Sequence, residues 1–128
     1  MERVTGVGGF FFRAEDPGAL SRWYAERLGV PAPPTEYGGE SWWHEAGPSV
    51  LVPMPLDSPH IRPGRQWTLN LRVRDLDAMV AQLRGDGVEV RVDPETYPNG
   101  RFADLEDPEG NPVQLWEPAP GDLEPPEA

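Results

Sequence analysis

The chain contains no cysteine, which removes disulfides, thiolate nucleophiles, zinc ribbons and iron–sulfur clusters as sources of stability or chemistry. It also contains no lysine, since all 11 basic residues are arginine. Schiff-base catalysis and the phosphate-gripping lysine of a P-loop are therefore excluded. Histidine is scarce, limited to His44 and His60. Basic charge is in deficit against 22 acidic residues, and the formal net charge of −11 repels nucleic acid and anionic membrane surfaces while favouring a neutral or cationic small molecule. No apolar run approaches the roughly 18 residues of a membrane span, and Met1–Gly9 lacks the apolar core of a signal peptide. The expectation is a soluble, cytoplasmic chain with no nucleic-acid or membrane partner.

What is present is punctuation and repetition. The 128 residues suffice for one core, and 17 Pro with 14 Gly divide the chain into short elements. Phe10-Phe11-Phe12-Arg13-Ala14-Glu15-Asp16 lies over Leu69-Asn70-Leu71-Arg72-Val73-Arg74-Asp75 at a constant offset, with Arg and Asp identical in both copies. Such internal repetition means one structural unit used twice. In the first copy Asp16 serves as an N-cap before Pro17, Leu20, Tyr24 and Leu28 form an apolar stripe, and Gly29 suits a left-handed terminus. In the second, Asp75 is the cap, Leu76, Met79, Val80 and Leu83 form the stripe, and Gly85 or Gly87 stops the helix.

Leu69, Leu71 and Val73 alternate with Thr68, Asn70 and Arg72, giving a strand with one apolar and one polar face. Three more strands are expected at Val88–Val92, Arg101–Leu105 and Pro112–Trp116, the last two joined through the turn Asp107-Pro108-Glu109-Gly110-Asn111. The second half therefore reads βαβββ. The first half is interrupted by Pro31, Pro33, Pro34, Pro48, Pro53 and Pro55, and Glu40–His44 and Ser49–Val52 are its expected hairpin strands. The division expected within this single domain is a first module at 4–56, a linker at 57–66, a second module at 67–118 and a flexible, acidic, Pro-rich tail at 119–128.

The passage Leu71-Arg72-Val73-Arg74-Asp75-Leu76-Asp77-Ala78 and the closing Asp107-Pro108-Glu109-Gly110-Asn111-Pro112-Val113-Gln114-Leu115-Trp116-Glu117-Pro118, together with the duplication, resemble the vicinal oxygen chelate superfamily of glyoxalase, bleomycin-resistance and dioxygenase-like proteins. The resemblance runs from about Val4 to Pro118. It implies an α+β fold of two tandem βαβββ modules whose curved mixed sheets surround a cleft, commonly in a homodimer. It also implies a divalent metal held by His, Glu or Gln on the first and last strands of each module. Here those positions fall near Gly9, Val52, Thr68 and Gln114. Only Gln114 resembles the family's ligands, so no cofactor is expected. A displaced metal on His44 or Glu45 with Gln114 is the alternative.

Strand alternation, combined with the resemblance, puts Phe11, Arg13, Thr68, Asn70, Arg72, Gln114 and Trp116 on the cleft side. Arg13 and Arg72 hold equivalent places and either converge on an anionic group or pair with nearby Glu15, Asp16 or Asp75. Trp116, with Trp42 or Trp43 opposite, offers a stacking surface for a flat ligand or serves as core. Tyr97 and Arg101 flank a loop at the expected cleft mouth. Three readings stay open: a binding protein that sequesters an aromatic or cationic compound; an enzyme of lyase, isomerase or dioxygenase type, with His44, Glu45 and Tyr97 as catalytic candidates; and an interaction protein with a vestigial cleft.

Overall fold

A computed structural model describes residues 1–126. The second half forms the βαβββ unit that its patterning predicts. It comprises β1 (Leu69–Arg72), α2 (Leu76–Gly85), β2 (Arg91–Val92), β3 (Gly100–Glu106) and β4 (Pro112–Pro118), with α1 (Pro17–Trp23) ahead of it in the first half. The four strands make one sheet in the order β1-β4-β3-β2, in which β1 runs parallel to β4 and the other neighbours are antiparallel. A short 3-10 turn, Pro120–Leu123, follows β4. The tail expected at 119–128 is thus partly turned, and its last two residues lie outside the described chain.

The helix signals act as anticipated. Asp16 and Asp75 each accept a hydrogen bond from the backbone three residues on, Ala19 N at 3.1 Å and Ala78 N at 3.0 Å, satisfying amides that have no partner inside the helix. Beyond Trp23 the first helix widens into a π-helical turn over Tyr24–Leu28, then stops at Gly29 with φ 73°. Gly87, with φ 82°, ends the second turn rather than Gly85. Both positive values lie where a Cβ is disfavoured.

Both helices cover the same face of the sheet. Leu76, Val80 and Leu83 of α2 join Leu20 and Tyr24 of the first helix, Val90, Ala103 and Leu105 of the middle strands, and Val113 and Leu115 of β4 in one core. The two helices are tied to each other where Gln82 Nε2 donates to the Arg27 carbonyl and Arg27 pairs with Asp86 at 3.5 Å. The first half therefore gives its helix to the core built by the second half.

Its expected strands behave differently. Residues 10–13, 40–44 and 49–52 have no strand pairing, contrary to the expectation for the first module. Prolines at 31, 33, 34, 48, 53 and 55 remove ladder donors and fix the backbone around these segments. Phe11, Trp43, Val50, Leu51 and Val52 are left exposed. Phe10 and Phe12 rest edge-on against Trp67, with ring centroids 4.8 and 5.7 Å away. Strand bounds in the second half shift slightly, β2 being shorter than Val88–Val92 and β3 and β4 longer than expected.

The turn Asp107–Asn111 joins β3 to β4 and grips the first helix. The buried Asp107 carboxylate accepts from Tyr24 Oη at 2.8 Å, from the backbone of Glu109 and Asn111, and from Asn111 Nδ2. Glu109 in turn accepts from the backbone N–H groups of Glu15 and Asp16 at 2.7 and 3.2 Å, placing a carboxylate where the helix dipole is positive. Burial, followed by the Asp107 hydrogen bond, pushes the Tyr24 phenol far above its ordinary value. Tyr24→Phe is expected to cost about 1.5–3 kcal/mol in urea unfolding, the range for a hydrogen bond to a charged acceptor. Because the folded state holds this proton more tightly, the wild-type protein loses stability as pH rises above the ordinary tyrosine range, and this contribution to the alkaline loss is absent in the variant.

Candidate functional site

The face of the sheet opposite the helices is built from two cross-strand rows. In the first, Asn70 on β1 stands opposite Gln114 on β4, Gln114 opposite Asp104 on β3, and Asp104 opposite Arg91 on β2. Two residues further along the strands, Arg72 stands opposite Trp116 and Trp116 opposite Phe102. Since side chains alternate faces with period two, these rows share one surface about 7 Å apart. The intervening row, Leu71, Leu115 and Ala103, points into the core. The alternation in Thr68–Val73 thus separates a polar surface from an apolar one.

Asn70 Nδ2 donates to Gln114 Oε1 at 2.8 Å, fixing the amide on β4. The Phe102 and Trp116 rings lie parallel, 3° apart in plane and 6.3 Å between centroids. Trp116 is only 7% exposed and donates its indole N–H to the Asn99 carbonyl at 2.8 Å, as a buried tryptophan requires. Its ring faces are covered by neighbours, so Phe102 presents more of this aromatic row. Pro59, His60, Arg62 and Pro63 of the linker line one side of a half-open pocket of about 260 Å³, whose other walls include Thr68, Arg91, Asp104, Pro112 and Gln114.

Other predicted residues stand apart. Arg72 donates to the Glu45 carbonyl at 3.0 Å, and the Glu45 carboxylate pairs with Arg74. Arg72 therefore finds its partner in the first half rather than in Asp75. Phe11, Arg13, Trp42 and Trp43 are exposed on the unpaired segments. Tyr97 packs edge-on against Phe102, 5.9 Å between centroids, and donates to Asp93 at 2.8 Å. That bond raises its phenol above the ordinary value. Arg101 pairs with Asp77 of α2 at 3.0 Å, which places it on the helix side of the sheet. His44 packs against Trp42, with centroids 4.2 Å apart. The catalytic candidates His44, Glu45 and Tyr97 thus belong to three separate local arrangements, and no acid–base pair is formed among them.

Sequence reasoning passed over Asp104 and His60. The available signal was period two: Asp104 alternates with Ala103 and Leu105 and so shares a face with Phe102. His60 lies in a Pro-rich linker that carries no such signal.

The divalent metal implied by the family resemblance does not fit these residues. Gly9 and Val52 have no donor side chain, and the Gln114 carbonyl oxygen is already bonded to Asn70. Among the described residues no group of three His, Cys, Asp or Glu converges. A divalent ion needs several carboxylate or imidazole donors to displace its water.

Desolvation raises the Asp104 carboxyl above the usual carboxylate range; Arg91, Gln114 and His60 oppose this, and Asp93 adds to it. A group raised in the folded state loses its contribution to stability as pH rises through that value. Asp104→Asn is therefore expected to stabilise the protein in urea at neutral pH and to show a shrinking advantage as the medium is acidified. An advantage that stays constant across that range contradicts the assignment.

Residues 9–116 match the family model described as a glyoxalase-like domain. The solved structure of TnmS3, an antibiotic binding protein from Streptomyces sp. CB03234, is 25% identical with a TM-score of 0.60, and the match covers 93% of this chain and 100% of that one. A glyoxalase / bleomycin resistance protein from Catenulispora acidiphila DSM 44928 is 31% identical over 81% of this chain and 90% of its own, with a TM-score of 0.42. No curated protein matches the sequence. Among the described residues no helix is long and apolar enough to cross a membrane. With the family model spanning most of its length, the chain belongs to the glyoxalase-like domain family of the vicinal oxygen chelate superfamily.

Proposed function

We propose that this protein binds and sequesters a small aromatic or cationic organic compound on the open face of its sheet, and does so without a metal. The carrying observation is the end-to-end likeness to an antibiotic binding protein, 93% and 100% of the two chains. The site supports the same reading. A polar row beside an aromatic row, lined on one side by the linker, offers shape and hydrogen bonds, while the donors fit no divalent ion and the acid–base candidates are dispersed. A net charge of −11 favours approach of a cation.

A second copy of the chain completes the cleft in this reading. Segments 10–13 and 49–52 carry strand-like apolar sequence without a partner, and β1 is an edge strand with one side free. Exposed apolar strands and open edges are normally paired or covered. Pairing with a second copy covers Phe11, Val50, Leu51 and Val52 and gives the first half the sheet that it lacks.

Tryptophan fluorescence titrated with a panel of flat cationic antibiotics is expected to show saturable quenching well below millimolar concentration. If no compound in the panel binds while a dicarbonyl or thiol adduct is turned over, the protein is an enzyme and the sequestration reading fails. Sedimentation at micromolar concentration is expected to give the mass of two chains. A single-chain mass contradicts the shared cleft.

A further inference from the structure

The pocket beside the linker is lined by a half-buried carboxylate, Asp104, that Gln114 and the cross-strand Arg91 face but that forms no close ion pair among the described residues. Arg91, Asp104, Gln114 and Asn70 form one row across all four strands, and the two ends of that row are occupied. Asn70 holds Gln114. At the other end Arg91 reaches towards Glu106 at 3.8 Å, and Glu106 also takes Arg62 of the linker at 2.6 Å. The two guanidiniums that line the cavity therefore share a carboxylate on its rim. Asp104, half-buried on the cavity floor, has no ion pair among the described residues.

A partly desolvated carboxylate that forms no close ion pair favours a cation that can enter the cavity and bring its own hydrogen-bond donors. The walls suit such a group. Pro59, Pro63 and Pro112 supply apolar surface for the carbons next to a charged nitrogen, while Thr68 and Gln114 bring further polar side chains. At about 260 Å³ the space takes one end of a drug-sized molecule rather than the whole. The remainder lies along the sheet towards Phe102 and Trp116, one row away.

We propose that Asp104 is the anchor for a protonated amine carried by an aromatic ligand, with Gln114 and Thr68 as its hydrogen-bonding neighbours and the Phe102 side of the aromatic row receiving the ring. This rests on the small-molecule reading above and narrows it to aromatic amines. The charged and titratable groups facing Asp104 are His60 and Arg62 from the linker, Arg91 and Asp93 from β2 and its end, and Glu106 from β3; Gln114 faces it from β4. Protonation of Asp104 removes the attraction, so affinity for the amine declines on acidification. His60 lines the same pocket, and the pH series is therefore run in a His60→Gln background as well.

The test is an amide NMR titration of the full chain with benzylamine, benzyl alcohol and benzoate, three probes of similar size and different charge. Benzylamine is expected to shift amides around Asp104, Gln114 and Thr68 and to bind about tenfold more tightly than the other two at neutral pH, the effect of one charge-assisted hydrogen bond. Asp104→Asn, nearly identical in shape, is expected to erase that preference while keeping the dispersed spectrum of the folded protein. Asn70→Ala, which loosens Gln114 without touching the charge, is expected to retain it. Preference for benzoate, or an unchanged preference in Asp104→Asn, overturns the anchor. Probes that bind only away from the cavity overturn the anchor and leave sequestration standing. No binding by any probe, together with no quenching by the antibiotic panel, overturns both.

Discussion

The Asp107 carboxylate is the point on which the two halves of the chain meet. Four donors converge on it: the Tyr24 hydroxyl, two backbone N–H groups and the Asn111 amide. Three of them close the turn between β3 and β4, and the fourth comes from the first helix, 83 residues away along the chain. A carboxyl group that is 4% exposed is tolerated only when its lone pairs are filled. The turn and the helix therefore stabilise one another, and the long β3–β4 ladder inherits its geometry from that pairing. Glu109 reinforces the contact by accepting from the start of α1.

Fixing both helices on one side leaves the opposite side of the sheet uncovered by helix, and this asymmetry makes a binding surface. Core demand sets the identity of every second residue, so Leu71, Ala103 and Leu115 are small or aliphatic. The alternate positions are free of that demand and carry Asn70, Asp104 and Gln114 in one row and Arg72, Phe102 and Trp116 in the next. The linker then converts part of an open surface into a half-open pocket by lining one side of it, tethered through Arg62 to Glu106. That ion pair is on the surface and contributes little stability by itself. Its consequence is local: it turns the Arg62 guanidinium towards Glu106.

Much of this was readable in advance because it depends on neighbours in sequence. Asp16-Pro17 and Asp75 cap helices, Gly29 and Gly87 end them, and Leu69–Val73 alternates; each effect acts over a few residues, and each appears in the structure. Asn70 and Gln114, chosen from alternation, do meet across the β1–β4 ladder. The resemblance puts Arg101 at the cleft mouth, whereas it turns to Asp77 because its strand position faces α2. Trp116 falls on the cleft face as alternation requires, yet its neighbours bury it. The repeat and the apolar residues predict strands in the first half, but they indicate a tendency to pair and supply no partner.

The amino-acid sequence by itself determined the two capped helices, the second-half strand–helix unit, the β3–β4 turn and the division of the second-half strands into an apolar and a polar face. These follow from local sterics, capping and the period-two geometry of extended chain. Only the tertiary structure decided that the first helix joins the core of the second half, that the linker and Asp104 line one pocket, and that Arg62 of the linker pairs with Glu106. Those outcomes depend on contacts between residues far apart in the chain, where charge and burial are set by what else arrives at the same place rather than by adjacent residues.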